Sequence, residues 1–354
     1  MNWSNIEEGL ITYDCDEQQM PSWNAFNSVV TDEKVPERIV GFLPILQHPV
    51  TEYNTVYTAI TNFQNVLGQL SQNHLGIACN EGVCRIAQEI MLWRRGEFKD
   101  LTVCLGSFHL LKIYIGCIGK YLRGSGAESI WIENEIFCSN TTQAVLEGSH
   151  YVRSLEEMTL LSDAMEILQW SAFFEKHGAQ KYVELLKLLR KMTLQDSAKN
   201  KSRSKELLNS FLGLSGDLFQ DLQEFKTERK VESKTILYWD RFIEMVRLAK
   251  DLVSDDREGD WHLHLHSFEA VLPYFAVFDS INYLRWCSLY LQDMKKLPET
   301  APVVHDNFMA GRFVVKRSSI PFSAVAAVMC LEQTMNRSSE TSGESLAIRN
   351  VKNS

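Results

Sequence analysis

The sequence predicts an α-rich α/β protein in which a small parallel sheet is surrounded by helices. Three observations predict it. The stretch Leu75–Lys120, LGIACNEGVCRIAQEIMLWRRGEFKDLTVCLGSFHLLKIYIGCIGK, passes from a short apolar run to an amphipathic stretch, then to a second apolar run and a second helical stretch. From Glu206 almost to the end, apolar residues recur at the three- and four-residue steps of helices. The chain has 354 residues and is 45% hydrophobic, enough to bury a real core.

In chain order, residues 1–36 are polar and aperiodic apart from Trp3 and the patch Pro21–Asn27, and they read as an extended amino-terminal segment. Residues 37–190 read as the α/β core with a helical insertion. Within it, Arg38–Leu46 is β-rich and bounded by prolines, as a strand with an irregular exit would be. Thr51–Leu70 is a helix with Val56, Ile60, Phe63, Leu67 and Leu70 on one face and Glu52 at the favourable end of the dipole. Leu75–Cys79 is the first strand, and the period changes at Asn80. Val83, Ile86, Ala87, Ile90 and Met91 then form the stripe of a crossover helix over 83–94, which leads to a second strand at Leu101–Leu105. Strand, helix, strand in that order makes the two strands adjacent and parallel, with a right-handed connection.

Gly124-Ser125-Gly126 ends the helix that follows, and Ile130–Phe137 shows no clear period. Thr141–Gly148 is a short helix. Leu155–His177 is a long one with Leu161, Met165, Leu168 and Ala172 on its buried face, and Lys181–Met192 continues the helical pattern after Gly178. Residues 191–204 read as a basic mobile loop, because Lys187–Lys205 carries seven Lys or Arg against the single Asp196 and lacks an apolar anchor after Asp196. Residues 205–336 form a helical region, with helices at 205–225, 234–254, 263–279 and 280–294, closed by Pro298 and Pro302. The Ser/Asn-rich end, 337–354, reads as a disordered tail.

A formal net charge of −9 argues against a general nucleic-acid coat, although a local basic patch can still meet phosphate. Eight cysteines are scattered without a CxxC pair, as expected of buried, reduced thiols in an intracellular protein. The acidic amino terminus is unlike a signal peptide, and no uncharged run approaches the ~20 residues of a membrane span, so no membrane partner is expected. No Walker-type loop, GxSxG elbow or kinase signature is present.

Polar residues at the carboxyl ends of neighbouring parallel strands converge, which brings Asn80, Glu81 and His109 toward one crevice. Strand 75–79 running into Asn80-Glu81-Gly82, and strand 101–105 running into LGSFH, resemble the second half of an RNase H-like transposase core. There an Asp ends one strand, and a His follows the next. The chain also resembles a multicopy, uncharacterised, transposable-element-derived family of animal genomes. The shared motifs are LGSFH, GSGAE at 124–128, GSHYVRSL at 148–155, REGDWHLHL at 257–265, INYLRW at 281–286 and LEQTMN at 331–336. The resemblance implies an incomplete RNase H-like sheet. Its first acidic strand is missing, Asn80 stands where the family has Asp, and Val328 stands where the family has an Asp four residues before Glu332.

Two-metal phosphoryl transfer needs clustered carboxylates to neutralise and hold two cations. Asn80, Glu81, His109 and Glu332 are therefore degenerate catalytic candidates, and the expected protein is a catalytically inactive remnant without a cofactor. The alternative is an RNase H-like nuclease or transposase using Mg²⁺ or Mn²⁺, with Glu81, Glu332 and one further acid. The three histidines of Trp261-His262-Leu263-His264-Leu265-His266 would share a face only on a strand; on a helix, only His262 and His266 do. No metal site is assigned to them, since no carboxylate or thiol is spaced to complete the set. Lys199, Lys201, Arg203 and Lys205 are candidates for weak, nonspecific nucleic-acid binding, with a solvated loop as the plainer account.

Overall fold

The computed structural model describes residues 23–194 and 201–330, apart from 32–34, 39, 41–45, 47, 95 and 150, with the side chains of 140, 189–194, 201, 203 and 204 also outside the description. β1 (Leu75–Cys79) and β2 (Leu101–Leu105) pair in parallel, in register from Leu75 opposite Leu101 to Cys79 opposite Leu105. The crossover expected between them is α3 (Glu81–Trp93). The α-rich α/β class is thus the observed one, with few strands among many helices. A second, two-residue antiparallel pair joins β3 (Val314–Val315) to β4 (Val325–Ala326).

Two compact units divide the chain differently from the linear division expected. One comprises 1–33, 156–246 and 320–322, and the other 34–155, 247–319 and 323–354. The first unit contains α1 (Trp23–Val30), so the end of the supposed extended segment is helical. The chain enters it within α7 (Tyr151–His177) and leaves it within α11 (Lys234–Glu258). Between these lie a 3₁₀ turn (Ala179–Tyr182), α8 (Val183–Leu194), α9 (Lys201–Leu214) and α10 (Gly216–Glu232). Phe173, Tyr182, Leu185, Leu186, Leu218, Leu222 and Phe225 form its core. The loop assigned to 191–204 is helical on both sides, to Leu194 and again from Lys201, and its remainder, 195–200, lies outside the described residues. In α7, Leu161 is buried as expected, but Leu168 is 52% exposed; Met158 and Phe173 are the other large buried residues of that helix.

The second unit holds the sheet. α2 (Tyr53–Gln69) packs on α3 through the face carrying Val56 and Ile60. α4 (Ser107–Leu122) is almost wholly internal, burying Leu110, Leu111, Tyr114, Ile115, Ile118 and Leu122, each worth about 1.5–3 kcal/mol of transfer. α5 (Ala127–Glu133), in the stretch without clear period, and α6 (Ser139–Leu146) follow; Gly124 and Gly126, with φ of 73° and 93°, make the break before α5. The predicted helix 263–279 is two, α12 (Trp261–Ala270) and α13 (Leu272–Val277), because Pro273 cannot continue the first and instead opens the second. α14 (Ile281–Lys295) begins after Asp279. Pro298 and Pro302 also open helices, α15 (Leu297–Thr300) and α16 (Pro302–Met309), where they were expected to close the helical run. In the same way, the predicted helix 205–225 is split at Ser215 into α9 and α10.

The strand expected over Arg38–Leu46 falls largely outside the described residues, as do the tail 337–354 and Cys15; beside it, Glu37 bridges to Lys316. Among the described cysteines none is in a disulfide; Cys84, Cys117, Cys287 and Cys330 are buried, whereas Cys138 is exposed. No described helix is long and apolar enough to cross a membrane.

Candidate metal centre

β2 delivers its carboxyl end into Gly106-Ser107, where α4 starts. A side chain at residue 106 would be crowded, its Cβ lying 3.1 Å from both the Cys79 carbonyl oxygen and Val328 Cγ2. Ser107 is buried, and its Oγ lies 2.9 and 2.7 Å from the two carboxyl oxygens of Asp256.

Asp256 comes from the last turns of α11. Leu248, Ala249 and Leu252 form the buried stripe of that helix, and the next positions of the stripe are Asp255 and Asp256. Helix α11 ends at Glu258, and Gly259 turns the chain with φ of 65°; a Cβ there would meet Val35 Cγ2 at 2.5 Å. Asp260 caps α12, its Oδ1 accepting from the backbone N–H of His262 at 2.9 Å and Leu263 at 3.0 Å. REGDWHLHL is therefore a helix end, a left-handed turn, a cap and a new helix start. Its result is that His264 comes back against the end of α11.

The His264 ring is packed among aromatic rings: Trp261 stacks on it with centroids 5.1 Å apart, and Phe268 lies at 4.2 Å and Phe313 at 5.0 Å. Its Nε2 is 2.9 Å from the Tyr290 hydroxyl. Its Nδ1 is 3.2 Å from Asp255 Oδ2, yet the two are out of line for a hydrogen bond. Asp255 is 0% exposed, and among the described residues neither of its carboxyl oxygens makes a hydrogen bond of normal geometry. One ligand atom from each of Asp255, Asp256 and His264 falls within 4.8 Å of the other two.

Burial pushes the Asp255 carboxyl well above the usual carboxylate range, and the neighbouring Asp256 backbone N–H offsets only part of this. Asp256 is pushed up to about 8, by burial and then by the charge of Asp255, while burial pushes His264 down to about 4. Burial thus disfavours the charged forms of both Asp255 and His264. Asp256 retains some surface toward a cavity of about 900 Å³, also lined by Ala78, Cys104, Ser107, His264 and Arg312.

Asn80 sits at the strand-to-helix junction as expected, but its Oδ1 accepts from the Val83 backbone N–H at 3.0 Å and so caps α3. Glu81 occupies the first turn of α3, where its charge and that of Cys84 add to the burial that pushes Tyr283 up to about 12. His109 is in the first turn of α4, edge-on to Phe108. None of the three lines the cavity, although Val328 does. Glu332 and Lys199 lie outside the described residues. Lys201, Arg203 and Lys205 are in the first turns of α9. His262 and His266 are exposed on α12 while His264 is buried, the helical alternative for that triplet.

Asp255 and Asp256 were not recognised as site residues. The signal available was an acid pair where the apolar stripe of α11 should continue, directly before a turn-and-cap motif.

Residues 22–354 match the family model described as Domain of unknown function (DUF8702). The chain belongs to that family. No curated protein and no solved structure matches it significantly. The family match extends over α11, the Gly259 turn and α12, so the Asp/His cluster lies within the family domain.

Proposed function

We propose that this chain is a transposon-derived protein of RNase H-like descent that has lost strand cleavage and acts by binding nucleic acid. The observation that carries the loss is the role of Asn80. At the end of β1, where an RNase H-like core would present a metal-binding acid, the side chain is neutral and its oxygen is engaged in capping α3. The binding half of the reading is supported by α8 and α9. These helices pack on each other, and only residues 195–200 separate them in sequence. In sequence, Arg190, Lys191, Lys199, Lys201 and Arg203 cluster about that junction, a local run of positive charge on an acidic chain.

The test is strand cleavage on single-stranded, duplex and hairpin DNA with Mg²⁺ or Mn²⁺, beside a binding assay on the same substrates. Binding without cleavage is the expected result. Cleavage lost in Glu332→Ala would overturn the reading, and no binding at low salt would favour a protein partner. Gain of cleavage in Asn80→Asp would place the loss at that residue.

A second reading, a metal-dependent nuclease, is favoured by one observation: Asp256 is an acid near the carboxyl end of β2 and faces the cavity. Metal-dependent cleavage that vanishes in Asp256→Asn would establish it.

A further inference from the structure

We propose that Asp255, Asp256 and His264 bind one divalent transition-metal ion, of which Zn²⁺ and Mn²⁺ are the representatives to test. The inference is separate from the nucleic-acid reading and rests on different residues.

The first argument is the unmet demand of Asp255. Its carboxyl is fully buried and has no properly aligned hydrogen bond among the described residues. Such a group must be neutralised by a proton or a cation. The geometry around it suits a cation better than a shared proton. His264 Nδ1 and Asp255 Oδ2 stand 3.2 Å apart with no hydrogen bond between them. Two donors each about 2.0–2.2 Å from one ion, at octahedral or tetrahedral angles, lie about 2.8–3.6 Å apart. A proton needs a straight line between the two atoms, whereas an ion sits off that line.

The second argument is the surrounding support. Tyr290, at 2.9 Å from Nε2, can accept the ring N–H, which leaves Nδ1 as a lone-pair donor toward Asp255. The rings of Trp261, Phe268 and Phe313 fix the plane of the imidazole. Ser107 holds the Asp256 carboxyl by the hydrogen bonds already described. These are the outer contacts that orient ligands before an ion arrives. The ligand atoms need only a small closing movement, since they already lie within 4.8 Å of one another. Access is through the cavity that Asp256 and His264 line, and the same opening leaves a coordination position for water. One imidazole with two carboxylates selects Zn²⁺ or Mn²⁺ over Mg²⁺, which favours an all-oxygen octahedron.

The experiment uses the full chain, stripped with a chelator and titrated calorimetrically with Zn²⁺, Mn²⁺ and, as a control, Mg²⁺. Expected are one tight Zn²⁺ or Mn²⁺ site per chain and Mg²⁺ binding at least tenfold weaker. Asp255→Asn and His264→Gln should each weaken the site at least tenfold, while His262→Ala and His266→Ala, on the exposed face, leave it unchanged. X-ray absorption on the unmutated Zn²⁺-loaded protein keeps the test decisive if a variant fails to fold, and it should show nitrogen and oxygen neighbours only. Absence of a saturable site, a sulfur ligand, or unchanged binding in both Asp255→Asn and His264→Gln overturns the proposal. Neutralising Lys199, Lys201, Arg203 and Lys205 should leave the ion site intact, so failure of the nucleic-acid reading is distinguishable from failure of this one.

Discussion

Gly119 illustrates how much a single position can decide. It lies in the interior of α4, where glycine normally costs helix stability relative to alanine by about 0.5–1 kcal/mol. At this site alanine is the worse residue, because its Cβ would fall 1.7 Å from the Leu146 carbonyl oxygen and 2.5 Å from its carbon. Both obstacles are backbone, so no side chain can swing aside, and α4 and α6 would have to separate. Gly119→Ala is expected to destabilise the protein by about 3 kcal/mol, the upper end for overpacking; equilibrium urea denaturation would measure it. Asn80 is the opposite kind of residue. Its capping role could equally be filled by Asp, so Asn80→Asp changes charge at the end of β1 with little effect on stability.

Helices α10 and α11 of the first unit are tied by a buried charge cluster. Asp240 is 2% exposed and lies 3.1 Å from Lys226 Nζ, with Lys230 as its second cation and Gln169 Nε2 donating at 3.2 Å. Burial alone would raise the pKa of Asp240, but the two lysines outweigh it and hold the carboxylate below its ordinary range. Asp240→Asn leaves Lys226, itself only 7% exposed, as an uncompensated buried ammonium. The expected cost near pH 7 is about 3 kcal/mol. Because the folded pKa lies below the unfolded one, this contribution is complete above the ordinary carboxylate range and is lost as pH falls through the folded value. The difference between Asp240→Asn and the parent protein should therefore shrink on acidification below about pH 4. Urea midpoints measured across that range would check both the size and the direction.

For the molecule as a whole, a net charge of −9 sets the character of any contact with nucleic acid. A net negative chain offers no general attraction to phosphate, so the proposed binding would rest on the basic run over 187–205 and on the counterions that it displaces. With about four phosphates engaged, affinity should fall roughly a hundredfold between about 50 and 200 mM salt, whatever the base sequence. Neutralising Lys199, Lys201, Arg203 and Lys205 together should abolish it, which fluorescence anisotropy on a labelled duplex would detect. A weak salt dependence, or binding that survives the four substitutions, would assign the contact elsewhere.

The sequence by itself determined the parallel pair β1 and β2, its crossover α3 and the helical character of the rest. Those features rest on local periodicity: the step changes to three or four residues at Asn80, and the apolar runs before Asn80 and Gly106 have the length of strands. It likewise placed Asn80 at the junction and left His264 apart from His262 and His266, because helix geometry separates neighbours in the chain. The breaks at Ser215 and Pro273 were less legible, since an apolar stripe can persist across a short interruption. Only the tertiary structure decided the candidate centre. Ser107 and Asp256 are 149 residues apart in sequence and meet because α4 starts where α11 ends. Asp255 and His264 meet because Gly259 and Asp260 reverse the chain between two helices. A carboxylate in an amphipathic pattern looks like a solvated residue until the packing that strips its water is known. Burial and convergence are properties of the assembled fold, and in this protein they bring an Asp-Asp pair against a buried imidazole.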